Sequence, residues 1–211
     1  VFLALLLCKP AALYAAGLDD LKWTITDGEV TITGCDEAAT GELAIPDTIE
    51  GNPVTSIGDE AFSFCGSLTD ITIPKGLKRI GRAVFSNCSN LTSITIPYGV
   101  TSIGDNAFLN CLSLPEITIP ESVTSIGGGS FLNCFSLARI TFEGVAPTVG
   151  IDAFSGVAFG AVAIVSPDAL ESFSAGIDDW NGLTVETLLT WTTTNNEVTI
   201  TDCDTAATGQ L

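Results

Sequence analysis

The residues of this chain with the widest range of chemistry are its cysteines, four of which recur every 23 residues. These four are Cys65, Cys88, Cys111 and Cys134. A thiolate can act as a nucleophile, bind a metal ion or form a disulfide. The sequence has no histidine and no Cys-x-x-Cys pair, so it offers no base for a Cys-His or Ser-His-Asp site and no zinc knuckle. We therefore predict no catalytic residue, no metal site and no cofactor.

The fixed interval favours a packing role for these thiols. Residues that recur at one interval in stacked coils lie above one another, at a Cα separation that a disulfide can bridge. Their side chains would, however, point in parallel into the interior, where the ~90° torsion of a disulfide is difficult to reach. A buried thiol is also a good small apolar filler. We expect reduced core thiols at these positions and at Cys35 and Cys203, with disulfides or a redox role as the alternative.

The same interval governs the apolar residues around the cysteines. Three Ile-Thr-Ile-Pro strings end at Pro74, Pro97 and Pro120. The recurring phenylalanines are Phe62, Phe85, Phe108, Phe131 and Phe154, and the recurring leucines are Leu68, Leu91, Leu114 and Leu137. A period of 20–50 residues with fixed apolar positions is typical of a solenoid, in which stacked coils share one core. The composition, 46% apolar and 15% charged, fits such a core and excludes a disordered chain.

Within one coil, the pattern predicts which side chains point inward. A short parallel strand should end at Pro74, because proline cannot donate to the ladder. Gly81 is expected to permit a tight turn. The residues predicted to point inward are Leu68, Ile71, Ile73, Leu77, Ile80, Val84 and Phe85. The predicted fold class is a β-rich solenoid of 23-residue repeats with a parallel concave sheet.

Two flanking segments are predicted to close the ends of this solenoid, which spans residues 43–165. In residues 18–42, two runs rich in β-branched residues lie on either side of Asp27-Gly28, and apolar and polar residues alternate within each run. This pattern predicts an N-terminal β-hairpin cap. In residues 166–188, Ser166-Pro167-Asp168 is expected to open a short helix that continues through Phe173. This segment is predicted to be a C-terminal helical cap.

The two ends of the sequence suggest a longer tandem protein. Residues 1–17 are mostly apolar, with an interruption at Lys9-Pro10, and end in Ala15-Ala16-Gly17, as in a secretory signal peptide that lacks its charged start. A buried N-terminal helix is the alternative for this segment. In residues 189–211, Trp191–Leu211 matches Trp23–Leu43 in 15 of 21 positions. We expect this segment to be the truncated start of a second copy of the module.

The repeat unit Ile-Gly-x-x-Ala-Phe-x-x-Cys-x-x-Leu-x-x-Ile-Thr-Ile-Pro closely resembles the BspA-like leucine-rich repeats. The resemblance covers Ile45–Val165, and Trp23–Gly34 resembles the hairpin that often precedes such arrays. It implies a leucine-rich-repeat solenoid in a secreted or surface-displayed protein. It also implies a role in adhesion to host or matrix proteins, and it supplies no catalytic motif.

The charge balance limits the partners. The 211 residues include 25 acidic and seven basic side chains, a net charge of −18. Nucleic acid is excluded as a partner because phosphate binding needs a basic face, and anionic membranes would repel the chain. No run reaches the ~18 apolar residues of a membrane span, so no transmembrane segment is expected. The expected partner is a protein or glycan on another cell or in a matrix.

One candidate recognition surface is the outward face of the predicted concave sheet. Solenoid sheets present extended surfaces of this kind to partners. The candidates are Asp70, Ser93, Glu116 and Arg139 in a varied column and Thr72, Thr95, Thr118 and Thr141 in a threonine column. Because threonine is also simply a favourable exposed strand residue, the varied column is the stronger candidate.

A second candidate is a basic patch at Lys75, Lys78, Arg79 and Arg82, four of the seven basic residues. Such a patch suits an acidic partner or another copy of the chain, so self-association is one open alternative. The other is a solvated turn with local charge relief.

Together these patterns predict a secreted or cell-surface leucine-rich-repeat binding module that is not an enzyme. One alternative is a structural spacer array carrying a domain outside this sequence. Another is an accessory region of a secreted enzyme.

Overall fold

The computed structural model describes residues 16–173, 180–187, 190–194 and 197–202. The segment predicted as a signal peptide lies almost wholly outside these residues, as does Cys203. The strands are β1 (Leu21–Thr26), β2 (Glu29–Cys35), β3 (Gly41–Ala44), β4 (Thr48–Ile49), β5 (Asn52–Ile57), β6 (Leu68–Thr72), β7 (Arg79–Ile80), β8 (Ser93–Thr95), β9 (Ser102–Ile103), β10 (Glu116–Ile119), β11 (Ser125–Ile126), β12 (Arg139–Phe142), β13 (Thr148–Val149), β14 (Val162–Val165), β15 (Thr184–Thr187), β16 (Thr190–Thr194) and β17 (Glu197–Asp202). Two 3-10 segments cover Leu18–Asp20 and Pro167–Phe173.

Parallel strands stack along the chain and confirm the predicted solenoid. One set of strands, which we call the ladder sheet, consists of β3-β6-β8 followed by β10-β12-β14-β15. Ile71 pairs with Ile94, and Ile117 pairs with Ile140, so each inward isoleucine meets its counterpart one repeat away. A second parallel sheet, β7-β9-β11-β13, is built from two-residue strands. Each regular coil therefore contributes one strand to each sheet.

The first hairpin is joined to the solenoid through its second strand. β1 and β2 pair antiparallel around Asp27 and Gly28, whose φ values of 53° and 80° are the left-handed pair that a tight hairpin turn requires. β2 then pairs in parallel with β5, which places Ile32 beside Ile57. The spacing from Ile45-Pro46 to Ile73-Pro74 is 28 residues, five more than the repeat, and this segment contains a small antiparallel pair, β4 with β5.

The phenylalanines form a continuous stack through the core, as the sequence predicts. Their ring centroids are 5.5, 5.3, 5.1 and 5.4 Å apart, and all four contacts are stacked. The four rings from Phe62 to Phe131 have no exposed surface. The inward residues predicted for the first regular coil, from Leu68 to Phe85, are likewise buried. This apolar core spans the coils without interruption.

The structure corrects the reason for the recurring glycines. Gly81 does not have a positive φ, so it is not the residue that makes the turn. A Cβ added to Gly104 would lie 2.7 Å from the Gly81 carbonyl carbon, and one added to Gly127 would lie 2.7 Å from that of Gly104. These glycines therefore let successive coils approach closely. The left-handed turn positions are nearby, at Ala83 with φ 51° and Asn106 with φ 55°.

The last coil ends in an aromatic cluster. The segment predicted as a short helix is the 3-10 segment Pro167–Phe173, and the ladder sheet continues beyond it in β15. Phe142 contacts Phe173 and Trp180 edge-on, with ring centroids 5.2 and 5.3 Å apart. Trp180 also lies against Phe154, so the cluster meets the last ring of the phenylalanine stack.

A second hairpin follows the solenoid in β16 and β17. Trp191 pairs with Ile200 as Trp23 pairs with Ile32, and both hairpins have a register shift directly before the tryptophan. The sequence match between the two segments therefore extends to their strand pairing.

Candidate functional site

The eight residues predicted for the outward face lie on β6, β8, β10 and β12 of the ladder sheet. All eight are exposed or half-buried, while the isoleucines between them are buried. The register pairs are Asp70 with Ser93, Thr72 with Thr95, Glu116 with Arg139, and Thr118 with Thr141. The fold thus brings the predicted residues onto one face as two columns. Within the described part of the chain, neither Glu116 nor Arg139 forms an ion pair or a side-chain hydrogen bond.

The varied column is longer than the sequence predicts. Glu42 pairs with Asp70 at one end, and Val162 pairs with Arg139 at the other. Sequence analysis missed Glu42 because its spacing to Asp70 is 28 residues, five more than the repeat, with β4 and β5 in the longer intervening segment. The face therefore has three carboxylates in this column and one arginine.

The ladder sheet is interrupted between β8 and β10. In a regular coil, the residue before the strand donates its backbone N–H to the preceding coil, as Thr92 does to Thr69 at 2.9 Å. Pro115 stands at the same position and has no N–H to donate. One coil later the pattern resumes, with Ala138 donating to Pro115 at 2.9 Å. Among the described strands, no ladder joins β8 to β10.

A groove of about 410 Å³ lies along this interruption. Four of the eight predicted face residues line it, together with seven further residues. The predicted residues are Ser93, Thr95, Glu116 and Thr118, and the further ones are Thr92, Ile94, Ile96, Tyr98, Pro115, Ile117 and Glu143. The groove therefore combines hydroxyl groups, two carboxylates and one aromatic ring.

Tyr98 and Glu143 are residues of this site that sequence analysis missed. Tyr98 directly follows the strand-ending Pro97 and is 70% exposed. Its hydroxyl donates a hydrogen bond to Glu143 Oε1 at 3.2 Å, across two coils. The negative charge of Glu143 is the main cause of a raised pKa at Tyr98. This hydrogen bond and the charge of Glu121 raise the pKa further. The rim of the groove is thus an electronegative environment.

Departures from the repeat are the signal that could have revealed this site. Glu143 replaces the proline that ends the preceding strands at Pro74, Pro97 and Pro120. Tyr98 occupies a position held by Lys75 and Glu121 in neighbouring coils, and Pro115 one held by Thr92 and Ala138. Three of the positions that break the repeat therefore border one groove.

All four side chains of the predicted basic patch are exposed. Arg79 pairs with Asp59 at 3.8 Å, and Arg82 forms an ion pair with Glu60. Lys75 and Lys78 form no ion pair within the described residues. Local acidic partners thus offset about half of the charge of the patch.

The five cysteines in the described residues are buried and free, which confirms the core-thiol prediction for them. Three thiols donate to a phenylalanine carbonyl of the preceding coil: Cys88 to Phe62 at 3.2 Å, Cys111 to Phe85 at 3.2 Å and Cys134 to Phe108 at 3.1 Å. Burial raises the pKa of the Cys88 thiol to about 12. Because the thiolate is the reactive form, a thiol held protonated in this way is a poor nucleophile. The stacked thiols act as core residues.

The described ranges contain no group of three or more cysteine or acidic residues arranged to hold a metal ion. In the same ranges, no helix has both the length and the apolar character needed to cross a membrane.

Comparison with known proteins identifies the repeat. The family model of the BspA type leucine rich repeat region matches residues 48–175 in six copies. The crystal structure of a leucine-rich repeat protein from T. pallidum is similar, with a TM-score of 0.62 and 28% identity, over 71% of this chain and 69% of that one. A leucine-rich repeat protein from Bacteroides capillosus gives a TM-score of 0.53 and 33% identity, over 59% of this chain and 95% of that one. A search of curated proteins finds no match.

Proposed function

The chain belongs to the BspA-type leucine-rich-repeat family, and from this premise we propose that it is a secreted or cell-surface binding module without catalytic activity. In this proposal the outward face of the ladder sheet binds a protein or glycan on another cell or in a matrix. The recognition residues are those of the varied column and the adjacent threonine column.

The observation that carries this proposal is the contrast between the two sides of the same strands. The inward pair Ile117 and Ile140 is identical, whereas the outward pair beside it is Glu116 and Arg139. A solenoid can change its outward residues without disturbing the stacked core, and repeat proteins use such surfaces for binding. Variation confined to one face is therefore what a recognition surface requires.

The flanking segments support this role by closing the solenoid. We assign the hairpin β1-β2 as the cap of the first coil, because β2 pairs with β5 and buries Val30 and Ile32. We assign the 3-10 segment Pro167–Phe173 and Trp180 to the opposite cap, because they cover the end of the phenylalanine stack. Terminal units of repeat proteins need such covers to remain soluble.

A structural spacer is the second candidate function. It is favoured by the second hairpin, whose strand pairing repeats that of the first. A tandem array of such modules would hold another domain at a distance. In that case the outward face would bind nothing, and its residues would vary only because they do not pack in the core.

Alanine substitution of the varied column separates the two functions. The intact chain and the variant D70A/S93A/E116A/R139A would each be immobilised and exposed to purified matrix proteins and a glycan array. A binding module should capture a partner in the intact form and lose most of that capture in the variant. A spacer should capture nothing in either form.

The basic patch supplies a matched four-residue control. The variant K75A/K78A/R79A/R82A should weaken capture only at low salt, because interactions between exposed charges are screened by ions. If this variant fails to bind at every salt concentration while the varied-column variant binds normally, the basic patch and not the varied column is the recognition surface.

A further inference from the structure

The groove between β8 and β10 is the most distinctive feature of the ladder sheet. It lies where Pro115 removes a ladder hydrogen bond. Elsewhere on this face the described strands are joined in continuous ladders, which present a relatively even surface. The groove is therefore the place where a single side chain of a partner can enter between two strands.

The rim of the groove presents an aromatic ring beside a carboxylate. Tyr98 is 70% exposed and is held by its hydrogen bond to Glu143. Because the hydroxyl is anchored, the ring has fewer orientations available and is preorganised for a ligand. The face of a tyrosine ring attracts cations, and a neighbouring carboxylate adds a charge-assisted hydrogen bond.

The charge of the surrounding face favours the same kind of ligand. Glu116 lines the groove, and Glu42 and Asp70 continue the varied column beyond it. Arg139 is the one cation in this column among the described residues. It lies on β12, one strand away from Glu116, and does not line the groove. The chain as a whole has a net charge of −18, so a cationic partner is attracted at long range as well.

We propose that this groove binds a lysine or arginine side chain from a cationic segment of a partner protein, with Tyr98, Glu116 and Glu143 as its contacts. The inference rests on the proposed function of the ladder sheet and narrows its partner from a protein or glycan to a protein with exposed cationic side chains. The ammonium or guanidinium group lies against the Tyr98 ring and between the two carboxylates.

Fluorescence anisotropy with labelled hexalysine tests this inference on the whole chain. The control ligands are the same peptide with acetylated lysines, which removes the charge, and maltohexaose, a neutral glycan. Hexalysine should bind and both controls should not. E116Q/E143Q should weaken hexalysine binding by about tenfold or more, since two charge-assisted contacts are lost. Y98A should weaken it by about threefold, while Y98F, which keeps the ring but loses the anchoring hydrogen bond, should weaken it by less than Y98A.

The variant D168N/E171Q is the matched control for net charge. It removes two exposed carboxylates from the 3-10 segment Pro167–Phe173, outside the groove, and should leave hexalysine affinity nearly unchanged. R139Q should bind equally well or more tightly, because a cation close to the groove is removed.

Three results would overturn the inference. Equal losses in D168N/E171Q and E116Q/E143Q would mean that hexalysine responds only to net charge. Binding of maltohexaose that is lost in Y98A would mean that the groove holds a sugar. Absence of hexalysine binding to the intact chain would mean that it holds no cation. If one of these results is obtained while D70A/S93A/E116A/R139A still loses capture of the matrix partner, this inference fails and the proposed function stands.

Discussion

The inward and outward sides of the same strands obey different rules. Inward, the residue type is nearly constant, and each ring or isoleucine lies beside its counterpart one repeat away. Outward, neighbouring strands place Ser93 beside Asp70 and Arg139 beside Glu116. Because both sides share one backbone and one period, neither backbone geometry nor repeat length can account for the difference. The contrast teaches that core packing limits the residue types on one side and leaves the other side free to vary, as the proposed recognition role requires.

Removal of a stacked ring should give the largest effect on stability. Phe108 is fully buried between Phe85 and Phe131, at centroid distances of 5.3 and 5.1 Å. Phe108→Ala should lower the free energy of unfolding by ~3–5 kcal/mol, measured by urea denaturation, because it leaves a cavity between two coils. Tyr98→Ala is the matched outward control and should cost less than about 1 kcal/mol. Similar losses for the two variants would break the contrast between the sides.

A single methyl group at the close approach of two coils should have the next largest effect. A Cβ at Gly104 would meet the Gly81 carbonyl carbon and oxygen at 2.7 Å, so the backbone must shift. Gly104→Ala should cost about 1–3 kcal/mol. Gly17→Ala, where a Cβ meets nothing within 4 Å, should change stability by less than about 0.5 kcal/mol. An unchanged midpoint of urea denaturation for Gly104→Ala would mean that the coils are not held at this distance.

The buried thiols should make stability depend on pH in the alkaline range. Burial raises the pKa of Cys88 from its ordinary value of 9.0 to about 12. Between these values the unfolded chain releases a proton that the folded chain keeps, so the free energy of unfolding falls as pH rises. Below pH 9.0 both states are protonated and the contribution is complete. Urea denaturation across this range should show a smaller fall for Cys88→Ala than for the intact chain.

Mass spectrometry of unreduced peptides checks the premise of the pH experiment. A disulfide between Cys88 and Cys111 would contradict the assignment of both residues as free thiols in the core.

The sequence predicts the inward side well because stacking requires like residues at one interval. The phenylalanine stack, the buried thiols and the inward isoleucines are all at predicted positions. The predicted turn role of Gly81 is wrong, because the close approach of two coils depends on the neighbouring coil and cannot be seen in the local sequence. The groove was missed because Tyr98 and Glu143 are 45 residues apart and meet only when two coils stack. Pro115 was visible as an irregularity, but its effect depends on the missing hydrogen bond to the strand beside it.

Substitution of the outward side should have the smallest effect on stability. In D70A/S93A/E116A/R139A, no buried side chain changes, and surface changes of this kind usually alter stability by less than about 0.5 kcal/mol each. The melting temperature should therefore stay close to that of the intact chain. A large drop would show that the outward residues also support the fold.

The most direct test of the central claim measures stability and binding on this same variant. The melting temperature and the affinity for the captured matrix partner would be determined side by side for the intact chain and D70A/S93A/E116A/R139A at one salt concentration. The account predicts a nearly unchanged melting temperature together with a loss of most of the affinity. Unchanged affinity in a variant that melts normally would contradict it, because the outward side would then contribute neither to packing nor to partner binding.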